Sequence, residues 1–295
     1  MRVIDVDPEV LRQAGAASAF AFEQSIVHIE AEIKGVIPEL METIVPEGPY
    51  GYTIMPQVLP DGSVKVPVIT TREGIREAYE LIRGMSDLLS VTPLTEIRGS
   101  WYTFQDNISR GARKATGEQS ANQTLALFPS GQAKGITGEL VWVRVPRSAL
   151  GTGPAPVGAA KEEWQLREEV FLQYERYLEA LRIADVDALI EGLNDGVQSA
   201  IRDYVNDTGT ITSLDGKEAH RSYYQALFDK YEILSVEPLY RAAEEWYVFG
   251  EFRVTVRFRG GTEAGKTVAF HRAEFHIPAK DGRFIARIGH GTDPA

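Results

Sequence analysis

The chain has 295 residues, 43% of them hydrophobic and 25% charged, which excludes a wholly disordered protein and leaves room for two ordinary domains or one large one. Its formal charge of −11, from 31 Lys and Arg against 42 Asp and Glu, repels phosphate backbones, and no basic run with interleaved aromatics offsets it, so nucleic acid is not an expected partner. Cysteine is absent, which excludes a disulfide framework, a thiolate nucleophile and a thiolate metal site.

The first residues, Met1 to Pro8, carry acids where a signal peptide needs bases, and no apolar stretch reaches the roughly 20 residues that span a bilayer. A cytoplasmic protein without membrane partners is expected. Helical stretches follow near 8–34 and 37–45, then strands near 50–56 and 64–70. A helix over 72–86 and strands near 88–98, 100–113, 117–128 and 136–147 complete the first half. Residues 149–160, small, uncharged and rich in Gly and Pro, read as a linker between domains 1–148 and 161–295.

The second half opens with an amphipathic helix over 162–183, with Val170, Tyr174, Tyr177, Leu178 and Leu181 at helical spacing. A short helix over 185–193 has Asp185 as its cap. Residues 197–205 and 208–214 read as a hairpin, 217–231 as a helix, and 233–243, 246–258, 266–277 and 283–290 as strands. In the second of these, Trp246, Val248, Phe252, Val254, Val256 and Phe258 share one face while Glu251, Arg253, Thr255 and Arg257 share the other.

The two halves repeat each other. Displaced by 145 positions, residues 71–104 meet 216–249 without a gap and 11 of the 34 pairs are identical, among them Tyr79/Tyr224, Trp101/Trp246, Tyr102/Tyr247 and Phe104/Phe249. Chance would give about two. Helices followed by long antiparallel strands predict an α+β fold: two tandem cone-shaped domains, each a curved antiparallel sheet wrapped around its N-terminal helices. Such a cone has an open mouth in which apolar pockets form.

This order, together with the run Arg176-Tyr177-Leu178-Glu179-Ala180-Leu181 and the Asp185-Val186-Asp187 turn, resembles the nuclear transport factor 2-like superfamily. Within it the local similarity is to ketosteroid isomerase. The resemblance covers about 161–291 directly and the first half through the repeat. It implies that Tyr177 donates to a developing oxyanion and that Asp203, in the run Ser199-Ala200-Ile201-Arg202-Asp203-Tyr204, is the general base. The acid that completes the isomerase site falls on Ala273, which argues against that particular activity. Arg272 and Glu274 flank it and are expected on the opposite face. Aligning Gly48 with Gly196 puts Ile29 at the place of Tyr177 and Met55 at that of Asp203, so the first domain is expected to have a degenerate pocket. The resemblance also implies a homo-oligomer.

Of the five histidines, His271, beside the missing acid, and His290, near the end of the last strand, are the acid–base candidates. His220 and His28 read as packed residues. No two histidines sit at ligand spacing, so neither a metal nor any other cofactor is expected. Tyr174, Trp246, Phe252 and Tyr204 are the aromatic candidates for contact with substrate, although the repeated Trp-Tyr-x-Phe box also suits a packed sheet face. The function expected is a cofactor-independent acid–base lyase or isomerase. Dehydration, retro-aldol cleavage or a double-bond shift would take place on a small, largely apolar aromatic, polyketide, terpenoid or steroid substrate. The competing class is a non-catalytic small-molecule-binding or protein-interaction module.

Overall fold

A computed structural model describes residues 8–131, 133–154 and 160–295. Residues 1–7 and the 155–159 portion of the expected linker lie outside the described residues. The chain divides into two compact units, one taking in the chain up to Tyr52 and Ile69–Val143, the other Thr53–Val68 and Arg144–Ala295. Among the described residues no helix is long and apolar enough to cross a membrane.

The first unit is built on helices α1 (Pro8–Lys34), α2 (Ile37–Glu42) and, further along the chain, α3 (Arg72–Met85). Its sheet uses β1 (Gly51–Thr53) with β4 (Ser86–Arg98), β5 (Tyr102–Arg113), β6 (Gln119–Pro129) and β7 (Gly138–Val143), in the order β1-β7-β6-β5-β4. The intervening β2 (Gln57–Val58) and β3 (Val64–Lys65) form a separate two-stranded ribbon. The sequence predicted a strand of the first half near 64–70. Instead this ribbon belongs to the second unit, where the Val66 N–H donates to the Gln198 side chain. Residues 149–154 are tied into the same unit, by Gly151 N–H to the Gly62 carbonyl (2.8 Å) and Lys280 N–H to the Leu150 carbonyl (3.0 Å).

The second unit has helices α4 (Glu163–Arg182), α5 (Val186–Glu191) and α6 (Gly216–Lys230). Its strands are β8 (Leu193–Arg202), β9 (Ile211–Asp215), β10 (Tyr231–Glu244), β11 (Tyr247–Phe258), β12 (Thr267–Pro278) and β13 (Phe284–Gly291). They form one sheet in the order β10-β11-β12-β13-β8-β9, antiparallel throughout except for the parallel pair β13–β8. A reciprocal capping box between Glu162 and Gln165 starts α4, and the Asp185 carboxylate accepts the Ala188 N–H at the start of α5. The stripe predicted for α4, from Val170 to Leu181, is buried. It packs on the β11 face made by Val248, Phe252, Val254 and Val256, while Arg257 on the alternate face is exposed. By the order of helices and strands, each unit has the α+β cone expected from the resemblance.

Candidate active site

The concave face of the second sheet carries charge where an apolar lining was expected. Strand alternation sends Arg272, Glu274 and His276 of β12 toward the helices, and register pairs Arg287 of β13 with His276 on the same face. All four are essentially without solvent contact. Arg272 Nη2 lies 2.8 Å from Glu274 Oε2, Arg287 Nη2 lies 3.5 Å from the same oxygen, and His276 Nε2 lies 3.0 Å from Glu274 Oε1. Burial alone would raise the Glu274 carboxyl. The two adjacent guanidinium groups win, and hold it well below the usual carboxylate range.

Two tyrosines complete the network. Arg287 donates through Nη2 to the Tyr177 hydroxyl (2.8 Å) and through Nη1 to that of Tyr224. Its guanidinium lies 4.5 Å from the centre of the Tyr177 ring. Burial pushes the Tyr177 phenol well above its ordinary value, so it keeps its proton as a donor. The Tyr174 hydroxyl, also buried, has no hydrogen-bond partner among the described residues. Glycine shapes the lining: a Cβ at Gly250 would overlap the Tyr174 hydroxyl, one at Gly289 the Glu274 Cβ, and one at Gly291 the Tyr204 hydroxyl.

His276 is the residue that the sequence reading passed over. Because Glu274 is a carboxylate, the Nε2 facing it carries the proton, and Nδ1 is left as a buried lone pair with no partner among the described residues. Burial pushes the imidazole down to about 4 in spite of Glu274, so it is neutral at physiological pH. Its ring centre lies 4.8 Å from that of Tyr177 and 5.1 Å from that of Tyr174. Two fixed cations against one fixed anion leave the network with a net positive charge.

Of the residues expected at the site, Tyr177, Tyr174 and Phe252 converge here, with Arg272 lying 5.4 Å from the centre of the Phe252 ring. Tyr204 stacks on Phe270 at 3.9 Å beside them, its hydroxyl donating to the Thr292 carbonyl (3.1 Å). Asp203 is buried just past the end of β8, where its carboxylate accepts the Val205 and Asn206 N–H groups (3.0 Å each) and the Asn206 amide (2.7 Å). Those bonds cap its own turn, and none joins it to Tyr177. His271 and His290 stand on the other face of the sheet from Tyr177. They alternate with Arg272 and are one residue out of phase with Gly289, and His271 faces Glu251 at 3.5 Å. The acid position carried onto Ala273 is on that other face too, because it pairs with His290. The inward residues are the Arg272 and Glu274 expected to point away. Trp246 lies edge-on to Tyr247 (4.9 Å) and beneath Arg144 (5.5 Å), as part of the sheet end.

The first unit keeps the same positions with different chemistry. Its α1 and the second unit's α4 end on left-handed residues, Gly35 and Ala184, seven places after His28 and Tyr177 respectively. His28, not Ile29, is therefore the counterpart of Tyr177. Thr103 and Val248, equivalent in the repeat, pair with Phe128 and His276. Their neighbours Leu127 and Phe275 pair with Leu140 and Ile288, which makes Glu139 the counterpart of Arg287. Tyr79 corresponds to Tyr224, and its hydroxyl donates to Glu139. A phenol–carboxylate pair thus exists in the half where the alignment found none.

No family model matches the sequence, and no curated protein does. The chain is similar to a solved structure from Jannaschia described as a SnoaL-like polyketide cyclase, with 18% identity and a TM-score of 0.37 over 45% of this chain and 91% of that one. It is similar to an LEH-like epoxide hydrolase of Mycobacterium tuberculosis, with 15% identity and a TM-score of 0.35 over 43% and 84%. A Bacillus subtilis protein described as an isomerase matches with 16% identity and a TM-score of 0.36 over 43% and 88%. Each covers less than half of this chain and most of a shorter protein.

Proposed function

We propose that the second unit is a cofactor-independent acid–base lyase or isomerase for a small, largely apolar substrate of the aromatic, polyketide, terpenoid or steroid kind. The observation that carries this reading is the buried, net positive donor set of Tyr177 and Arg287 beside the free Nδ1 lone pair of His276. A proton leaving a carbon next to a carbonyl goes to His276 Nδ1, and the electron pair moves onto the carbonyl oxygen. That oxygen, now an enolate, takes hydrogen bonds from Tyr177, whose acidity Arg287 increases. Return of the proton at a distant carbon completes a double-bond shift, and its delivery to a departing hydroxyl completes a dehydration. In a retro-aldol the base takes the proton of a hydroxymethyl group, formaldehyde leaves, and the enolate is protonated on carbon.

Glu274 serves as a positioning residue, fixing the tautomer of His276. Asp203, named as the base by the resemblance, holds the turn that delivers Tyr204 to the interior. The test is a turnover screen of hydroxylated aromatics, terpenoids and steroids, followed by mass detection, with His276→Gln and Asp203→Asn run beside the wild type. Product lost in His276→Gln and retained in Asp203→Asn is expected. The converse pattern returns the base role to Asp203. Loss of water, loss of formaldehyde or an unchanged mass identifies the reaction.

A further inference from the structure

The first unit buries an acidic cluster that the proposed chemistry does not use. His28 and Glu32 are one helical turn apart on α1, so both face the same way, and Glu139 meets them from β7. One ligand-type atom from each lies within 4.8 Å of the other two, and His28 Nε2 is 3.6 Å from Glu139 Oε2. Two ligands of one ion bonded at ~2.1 Å stand roughly 3 to 3.5 Å apart, so atoms within 4.8 Å of one another reach a common point after shifts of up to roughly 1 Å.

The His28 ligand atom is already oriented from behind. The Thr43 hydroxyl donates to the Leu40 carbonyl (2.6 Å) and so receives Nδ1–H of His28 at 2.6 Å, which turns Nε2 toward the Tyr79 hydroxyl (3.0 Å) and Glu139 (3.6 Å). The Tyr79 hydroxyl, beside His28 Nε2, donates to Glu139 and so joins the two ligand residues at the site itself. An independent sign that something is meant to sit here is Tyr52. Its side chain is wholly buried, and its hydroxyl lies in the field of both Glu139 and Glu32 without any hydrogen-bond partner among the described residues.

We propose that His28, Glu32 and Glu139 form a binding site for one divalent first-row transition ion, with Thr43 and Tyr79 as the groups that orient its ligands. One imidazole and two carboxylates suit Mn(II), Fe(II) or Zn(II) in preference to the soft, thiolate-seeking ions. The site belongs to the first unit and does not depend on the reading of the second.

The full-length chain, freed of metal with a chelator, is titrated with Mn(II), Zn(II) and Co(II) by calorimetry, and the visible spectrum of the Co(II) form is recorded. One saturable equivalent per chain is expected, with visible Co(II) bands that grow in step with binding and report its coordination geometry. Glu32→Gln and His28→Gln should weaken binding at least about tenfold, and Thr43→Val by about tenfold, as loss of an orienting partner does elsewhere. Glu32 is only half-buried, so its variant tests the site even if a change at the enclosed Glu139 disturbs folding. No saturable binding by the wild-type chain, or binding that Glu32→Gln and His28→Gln leave intact, overturns the proposal.

Discussion

Tyr177, His276 and Arg287 each draw their character from a neighbour: the phenol is a donor because Arg287 already occupies its lone pair, and the imidazole is a free base because Glu274 holds its other nitrogen. Tyr177→Phe removes the oxyanion donor and should lower kcat by about a hundredfold or more with little change in folding, measured on whichever substrate the turnover screen returns. The acid limb of the activity profile should fall near pH 4, where His276 takes up its second proton. The same burial makes the fold sensitive to acid. His276 and His220 are pushed down to about 4 and His290 to about 3, from an ordinary 6.5, each chiefly by burial. Between those values the unfolded chain binds more protons than the folded one, so stability is constant above about pH 6.5 and falls below it. The slope approaches about 1.4 kcal/mol per histidine per pH unit, which urea titrations at pH 7, 6 and 5 would check. Glu274→Gln leaves two buried guanidinium groups unopposed and should cost about 3–5 kcal/mol in the same assay.

At the scale of elements, the strands and helices of the second half were legible because apolar residues recur at unambiguous periods, as in β11 and the α4 stripe. Asp185 was readable as a cap from its type and place, and Asp185→Ala should cost about 1 kcal/mol in denaturant unfolding. The face of β12 was not legible. Its run Arg272-Ala273-Glu274-Phe275-His276 is buried on both faces, so alternation of polar and apolar residues no longer tells inside from outside. The apolar residues took the outward face and the charged ones the cone, whereas His271 was preferred to His276 for its place beside the acid position carried onto Ala273. Glycine was the overlooked signal. Gly289 and Gly291 on β13 strip the inward face beside Glu274 and Tyr204, and Gly289→Ala, which would also meet the Ala273 carbonyl, should lower Tm markedly in a thermal melt. The strand near 64–70 failed as an element of the first half because a segment this short takes its pairing from tertiary contacts, here with Gln198.

At the scale of the molecule, the likeness of the halves is visible in one ungapped stretch of the sequence, yet their chemistry diverges at positions outside that stretch. Tyr79 and Tyr224 are conserved between the halves, while the residue that meets each of them is Glu139 in one and Arg287 in the other. One cone interior is in this way dominated by carboxylates and the other by guanidinium groups. A search restricted to pairs of histidines could not detect the first, whose ligand set has a single imidazole. The central claim, that the second interior stabilises an oxyanion, is tested most directly without knowledge of the substrate, by titrating p-nitrophenol into the protein near neutral pH and following its ionisation in the visible spectrum. The account predicts that the protein binds the phenolate and draws the phenol into that form, that Tyr177→Phe and Arg287→Met each weaken binding by about tenfold or more, and that Asp203→Asn does not. Absence of binding, or phenolate binding that both variants retain, would contradict it.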